Sequence, residues 1–245
     1  MRTHAQLTIA EDLSVGDWIR EGLDSWDSQP FSVGICIPGG FDSYVFIRHS
    51  GAEGGLNEDG STSLTALLDT LAEFTKTPED CFQALWEGYG WLHQGAIAIY
   101  LKREPLIISP IMQLQPLRYL RMWSTMRKHR HRDLSKSVLL ENTLPKGIME
   151  SERFQLPNRN YLLMRGAIKE AQKIGFEIND HFHFESPNLI WPEDRSWIFV
   201  EELDFNATLI GGSQELIQKV SLMNELNSRI FHRTETAVDL GINNW

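Results

Sequence analysis

The chain has 245 residues, 42% of them hydrophobic and 23% charged, an ordinary globular balance that excludes long disorder, collagen and disulfide-rich miniproteins. Its formal net charge of -10 repels phosphate backbones and anionic lipid, so general nucleic-acid binding and docking on a membrane surface are disfavoured. Two cysteines, Cys36 and Cys81, are too few for a disulfide framework and read as buried free thiols. The first residues lack a hydrophobic stretch of signal-peptide length, and no apolar run approaches the roughly 18 residues that a membrane span needs. The expectation is a soluble, cytoplasmic protein with no membrane association.

In chain order, 11–27 reads as a short helix capped by Ser14, with Val15, Trp18, Ile19 and Leu23 at helical spacing. Phe31 to Ile37 and Tyr44 to His49 read as two strands joined by a turn at Pro38-Gly39-Gly40. Residues 50–62 are glycine-rich and polar, a surface loop. Ser63 opens the clearest helix, whose Leu64, Leu67, Leu68, Leu71 and Phe74 fall in one stripe. It ends near Lys76, because Pro78 disfavours helical geometry at Thr77. The aromatic run Phe82–Trp91 is compatible with a helix or a strand, the strand being preferred on account of Gly88 and Gly90, and Gly95 to Leu101 reads as a following strand.

Residues 102–155 hold four of the ten prolines and a basic cluster, and read as an insertion. Asn160 to Arg165 is a strand, and Ala167 to Lys173 a short helix closed by Gly175. Residues 185–197 form a proline-punctuated aromatic loop. Ile198 to Asp204 and Ala207 to Ile210 make a hairpin joined at Phe205-Asn206. Gly211-Gly212-Ser213 opens a helix with Ser213 as N-cap and Leu216, Val220, Met223 and Leu226 on its buried face. The tail from Phe231 has no clear pattern. Strand runs with interspersed helices, and no strict βαβ alternation, predict a single α+β domain over 1–245 with a mainly antiparallel sheet and a few amphipathic helices.

Three groups of residues recur as motifs. Ile37-Pro38-Gly39-Gly40-Phe41-Asp42-Ser43-Tyr44 is the first. The second is Thr77-Pro78-Glu79-Asp80-Cys81 followed by Leu85-Trp86-Glu87-Gly88-Tyr89-Gly90. The third runs from Ser186-Pro187-Asn188-Leu189-Ile190-Trp191-Pro192-Glu193-Asp194-Arg195-Ser196-Trp197 into Glu201-Glu202-Leu203-Asp204 and Gly211-Gly212-Ser213. Together they resemble an uncharacterised bacterial protein family. The resemblance implies a shared fold and carries no established activity. The stretch 102–155 departs from it, being longer and more basic.

The best site candidate is Trp191 to Asp204, with two tryptophans, one arginine and five acids (Glu193, Asp194, Glu201, Glu202 and Asp204). Glu202 and Asp204 share a strand face. Arg195 can bridge carboxylates or hold an anion, and tryptophan supplies flat apolar area. Trp191, Asp194, Arg195, Trp197, Glu202 and Asp204 are therefore the expected ligand- or partner-binding set, and structural ion pairing with plugged tryptophans is the plain alternative. His181, His183 and Glu185 alternate on one strand and carry zinc- or iron-type donors. They lack an HExxH pattern, and a solvent-facing polar edge explains them equally well, so no metal is assigned.

Residues 118–136 hold seven basic residues and one acid, yet Tyr119 and Trp123 precede the densest charge, so a solvated face is favoured over RNA binding. The glycine pairs fit no Walker or dinucleotide fingerprint, and no cofactor is expected. Asp42, His49, Glu87 and His93 could join an acid–base set only if the fold gathered them. The resulting expectation is an interaction or small-ligand-binding protein using the aromatic and acidic surface around 191–204, its partner an unidentified protein or small molecule. The alternative is a hydrolytic, possibly metal-assisted enzyme using carboxylates of that segment with a histidine.

Overall fold

A strand that is apolar at both parities is buried on both faces. Ile198–Glu202 is such a strand, with all five residues buried, and it lies inside the principal sheet. The computed structural model describes residues 5–27, 32–49, 61–93, 100–101, 104–105, 141–178 and 181–242. In spatial order the principal sheet runs β1 (Thr8–Ile9), β8 (Arg159–Gly166), β3 (Cys81–Trp86), β11 (Leu189–Pro192), β12 (Ile198–Glu202), β13 (Ala207–Gly212), β2 (Ser43–Arg48) and β14 (Asn227–Phe231). β7 (Phe154–Leu156) also pairs with β8. A small second sheet joins β10 (His181–Phe184), β9 (Gly175–Ile178) and β6 (Glu141–Asn142), and β4 (Tyr100–Leu101) pairs with β5 (Glu104–Pro105). Every pairing between these strands is antiparallel, as the α+β expectation requires, although the helical share is modest.

The principal sheet is covered on both sides. Its first face carries Phe82, Trp191, Ile198, Val200 and Leu209. The N-terminal segment with α1 (Asp17–Gly22) packs here, as do Val33, Ile37, Phe154 and the C-terminal Ala237, Leu240 and Ile242. The second face carries Val45, Ile47, Ile190, Phe199 and Ile210. It is covered by α2 (Ser61–Glu73) through Leu64, Leu67, Leu68 and Leu71, and by α3 (Gln214–Ser221) through Leu216, Ile217 and Val220. Each of these leucines contributes about 1.5–3 kcal/mol by leaving water. Beyond α2, Leu85, Leu162, Ile148, Trp91 and Ile174 continue the same side as a third cluster.

The capping expectation for α3 holds: Ser213 is its N-cap and its hydroxyl accepts from Leu216 N–H at 3.2 Å. Ser213→Ala is expected to cost about 1 kcal/mol, read as a lower midpoint in urea denaturation. Asp12, rather than Ser14, caps the first helical region, accepting from Ser14 N–H at 2.9 Å.

Several expected elements differ. The Phe31–Ile37 strand is instead a 3-10 turn at Val33–Ile35, with one isolated bridge, Ser32 to Thr236. Its apolar side chains plug the core, while Val33 and Gly34 N–H donate to Glu235 and Arg233 carbonyls of the tail. The Arg233 guanidinium then donates to the Gly22, Gly34 and Ile37 carbonyls and to Asp24. β2 therefore has no hairpin partner at Pro38-Gly39-Gly40, and lies between β13 and β14.

The 185–197 segment is not all loop, since β11 occupies its middle, with Pro192 at the strand's last position. Gly211 and Gly212 end β13 rather than forming a turn. A Cβ at Gly211 would stand 2.7 Å from Phe41 and 2.9 Å from Tyr44. The helix expected at Ala167–Lys173 is a 3-10 segment, Ile168–Lys173, with Ala167 as its N-cap. The tail holds buried Ala237, Leu240 and Ile242 despite lacking a periodic pattern. Residues 50–60, 94–99 and 106–140 lie outside the described residues, and with them most of the expected glycine-rich loop, most of the 95–101 strand and the basic 118–136 cluster of the 102–155 insertion.

Candidate functional site

The six residues expected to form one binding surface are distributed over both faces and both ends of β12. Trp191 and Trp197 are 0% exposed and lie in the cores of opposite faces. Trp191 stacks on Phe82 at 5.4 Å and meets Trp18 edge-on at 6.5 Å. At the turn before β12, Asp194 accepts from Thr75 hydroxyl, Lys76 N–H and Ser196 N–H, which holds its carboxyl below the usual range despite the opposing effect of burial. Arg195 adopts a left-handed backbone, φ 54°, and its guanidinium lies over the Trp18 ring. At the far end, Glu202 and Asp204 both accept from Arg159 Nη2, at 2.9 and 2.6 Å. Tryptophan burial follows from strand pairing on both sides of β11 and β12. The carboxylates are taken up by an ion pair. The set is therefore not one accessible surface, and no described histidine pairs with Glu202 or Asp204.

The other sequence candidates also separate. His183 stacks on Phe176 at 5.1 Å. Glu87 accepts from Arg153 and Asn160, Asp42 is exposed, and the side chain of His93 lies outside the described residues. Among the described residues, no group of three His, Cys, Asp or Glu side chains is arranged to hold a metal ion. Both thiols are free; burial pushes Cys81 up to about 12 and Cys36 well above its ordinary value. An open depression of about 280 Å³ sits on the first face between Ile9, Val15, Phe82 and Arg165. Its charged lining is Arg165, already paired with Asp80, together with the acids Glu11 and Asp12, the latter accepting from Ser14 N–H.

A different group comes together on the second face. Antiparallel register places Glu201 opposite Thr208, and Thr208 opposite Ile47. On the other side, Leu189 pairs with both Val200 and Ala84, so Asn188 falls level with Glu201 and Leu85. Asn188, just before β11, Glu201 of β12 and Thr208 of β13 thus form a polar row on a mostly apolar face, whose other fully buried polar side chain in the sheet is Gln83, opposite Ile190. All three are at least nine-tenths buried. Asn188 is fixed through both ends of its amide: Oδ1 accepts from Trp86 N–H at 2.8 Å, and Nδ2 donates to the Tyr89 hydroxyl at 3.2 Å. Thr208 Oγ1 and His49 Nε2 share a hydrogen bond of 2.8 Å, its direction set by the histidine tautomer.

Two carboxylates face each other's field in this group. Glu201 is buried and its Oε2 has no hydrogen-bond partner, while the nearby Ser186 hydroxyl donates to the Pro187 carbonyl at 3.2 Å. Burial pushes it up to about 7, against an ordinary value of 4.5. Glu185, partly open to solvent, is pushed up to about 8 by burial first and by the Glu201 charge second. Tyr89 is raised by burial and then by the same two acids. His49 is driven down to about 4 by burial, so it is neutral at physiological pH. Among the described residues, no Lys or Arg forms an ion pair with Glu185 or Glu201. Perturbed acids without a cation, one carrying an unpaired buried oxygen, mark a site candidate on physical grounds.

No protein-family model matches the chain, and no curated protein sequence or solved structure does. No helix of the described residues is long and apolar enough to cross a membrane.

Of this site, Glu201, Glu185 and His49 were visible in the sequence as members of other groupings, whereas Tyr89, Ser186 and Asn188 were visible only as motif letters. The available signal was the parity of β12. Glu201 follows Trp197 and Phe199 on one face, so a carboxylate there had to enter a buried stripe.

Proposed function

We propose that this protein binds a small polar molecule at the second-face cluster of Glu201, Glu185, Tyr89, Ser186 and Asn188. The observation that carries this reading is the buried Glu201 Oε2, among the described residues the one carboxylate oxygen of the seven buried polar side-chain atoms that lack a hydrogen-bond partner. An unpaired carboxylate oxygen in a low-dielectric interior costs several kcal/mol if charged, on the order expected for ion desolvation. A bound donor removes that cost. Glu185 and Tyr89 keep part of their surface open, which supports entry from their side. This reading keeps small-ligand binding and moves it away from the tryptophan–arginine rim.

A second reading is acid–base hydrolysis. It is favoured by carboxylates poised between about 7 and 8 beside Thr208, whose hydroxyl already contacts a neutral histidine. A thermal-shift screen of small polar metabolites against wild type and Glu201→Gln tests the binding reading. Hits whose stabilisation disappears in the variant are the expected result. Hits that persist unchanged in Glu201→Gln, or no hits at all, would overturn it. Turnover of a hit, lost in both Glu201→Gln and His49→Asn, would establish the hydrolytic reading instead.

A further inference from the structure

The cluster is unbalanced in its hydrogen-bonding capacity as well as its charge. Its acceptors outnumber its donors: Glu201 Oε2 has no partner, and half-buried Glu185 adds a second carboxylate within the field of the Glu201 charge. The Asn188 amide is committed at both ends, to Trp86 N–H and to the Tyr89 oxygen. The Ser186 hydroxyl is committed to the Pro187 carbonyl, to which it donates at 3.2 Å. Thr208 is committed to His49. The Tyr89 hydroxyl accepts from Asn188, and its own proton has no acceptor among the described residues. One donor therefore remains, on half-buried Tyr89, and buried Glu201 offers only a carboxylate oxygen.

A ligand that completes both ends must bring N–H donors inward and an acceptor outward. A neutral donor would leave the second carboxylate uncompensated, whereas an ammonium group carries three donors and the missing positive charge. An anionic ligand is excluded by like-charge repulsion.

We infer that the ligand of this site is a small protonated primary amine, its ammonium held between Glu201 and Glu185, with a hydrogen-bond acceptor a few bonds away for the Tyr89 hydroxyl. This rests on the binding reading above and names the ligand class for it. The groups facing the ammonium are Glu185 and Ser186 from the segment before β11, Tyr89 from the segment after β3, and Thr208 of β13 backed by neutral His49. Arg159, on the far face, acts on Tyr89 only through its field.

Titration calorimetry on the full chain at pH 8, with 3-amino-1-propanol, n-butylamine, 1-butanol and butyrate, decides the matter. The amines are expected to bind and the alcohol and carboxylate not to. The aminoalcohol should bind more tightly than butylamine, and Tyr89→Phe should erase that difference. Glu201→Gln should weaken both amines about tenfold or more, the loss expected for a charge-assisted hydrogen bond. A melting curve shows whether each variant is folded. Glu201-dependent binding of 1-butanol or butyrate, with none of the amines, would overturn the ligand class and leave the site reading standing. Amine binding equal in wild type and Glu201→Gln, or no amine binding, would overturn the inference, and the metabolite screen then judges the site reading separately.

Discussion

Trp191→Ala is expected to lower the unfolding free energy by about 3–5 kcal/mol, one of the largest single-residue losses in the molecule. The side chain is 0% exposed and lies against Phe82, Trp18 and Phe154, with ring centroids 5.4, 6.5 and 6.0 Å away. Its truncation leaves a void bounded by β3, the N-terminal helix and β7, three elements that are each fixed by other contacts and cannot collapse together. The indole Nε1 makes no hydrogen bond, so the loss is packing and transfer alone. Trp191→Phe removes that unsatisfied N–H and keeps most of the contact area, so it should cost about 1–2 kcal/mol, well below the alanine variant. Guanidinium denaturation of the three proteins at one temperature checks the order. A loss under about 1 kcal/mol for alanine, far below the usual range for a buried aromatic, would overturn the description of the first-face core.

The second large effect is a stabilisation. Glu201→Gln should raise the unfolding free energy at pH 8 by about 2–3 kcal/mol, and leave it nearly unchanged at pH 5. Between the ordinary value of 4.5 and about 7, Glu201 keeps in the native state a proton that the unfolded chain has released. The native state thus binds more protons there, and stability falls as pH rises through that window. At 1.36 kcal/mol per pKa unit, the Glu201 shift amounts to about 3 kcal/mol once pH exceeds 7. Glu185 adds in the same direction, up to about 8.

His49 has the opposite sign. Its native value of about 4 lies below the ordinary 6.5, so the unfolded chain binds the extra proton and stability rises with pH from 4 to 6.5. Above 6.5 only the acids act, and wild type should lose stability from pH 6.5 to 8. Urea midpoints of wild type and Glu201→Gln at pH 5, 6.5 and 8 measure this. A difference that does not change with pH would show that Glu201 titrates as an ordinary surface acid.

Local pattern was enough for α2, where four leucines at helical spacing are all buried, and for the β12–β13 hairpin, whose Asn206 takes the left-handed conformation that a tight turn needs. Val33, Ile35 and Ile37 show the limit of the same logic. Their alternation suits a strand, yet they are buried as a plug, because the backbone around them bonds to the C-terminal tail and to Arg233 rather than to a neighbouring strand. β11 was concealed by the prolines around it. All four of its residues pair with β3, more than 100 residues earlier, and Leu189 and Ile190 pair also with β12.

The candidate site was hidden for the same reason. Adjacent Glu201 and Glu202 are alike in sequence, and only their parity relative to Trp197 and Phe199 separates them. Glu202 enters the first face and is paired there with Arg159, while Glu201 enters the second face beside Asn188 and Thr208, whose register depends on strands from three separate segments.

β2 has a consequence for how the chain is made. Its partners are β13 and β14, and Thr208 follows His49 by 159 residues. At roughly 5–20 residues per second, a ribosome takes about 8–30 s to supply the first of those partners. Throughout that interval Tyr44, Val45, Phe46 and Ile47, all destined for the interior, have left the exit tunnel with no cognate edge to join. The nascent chain must therefore be shielded by a holding chaperone, or by transient collapse, until its last third is translated.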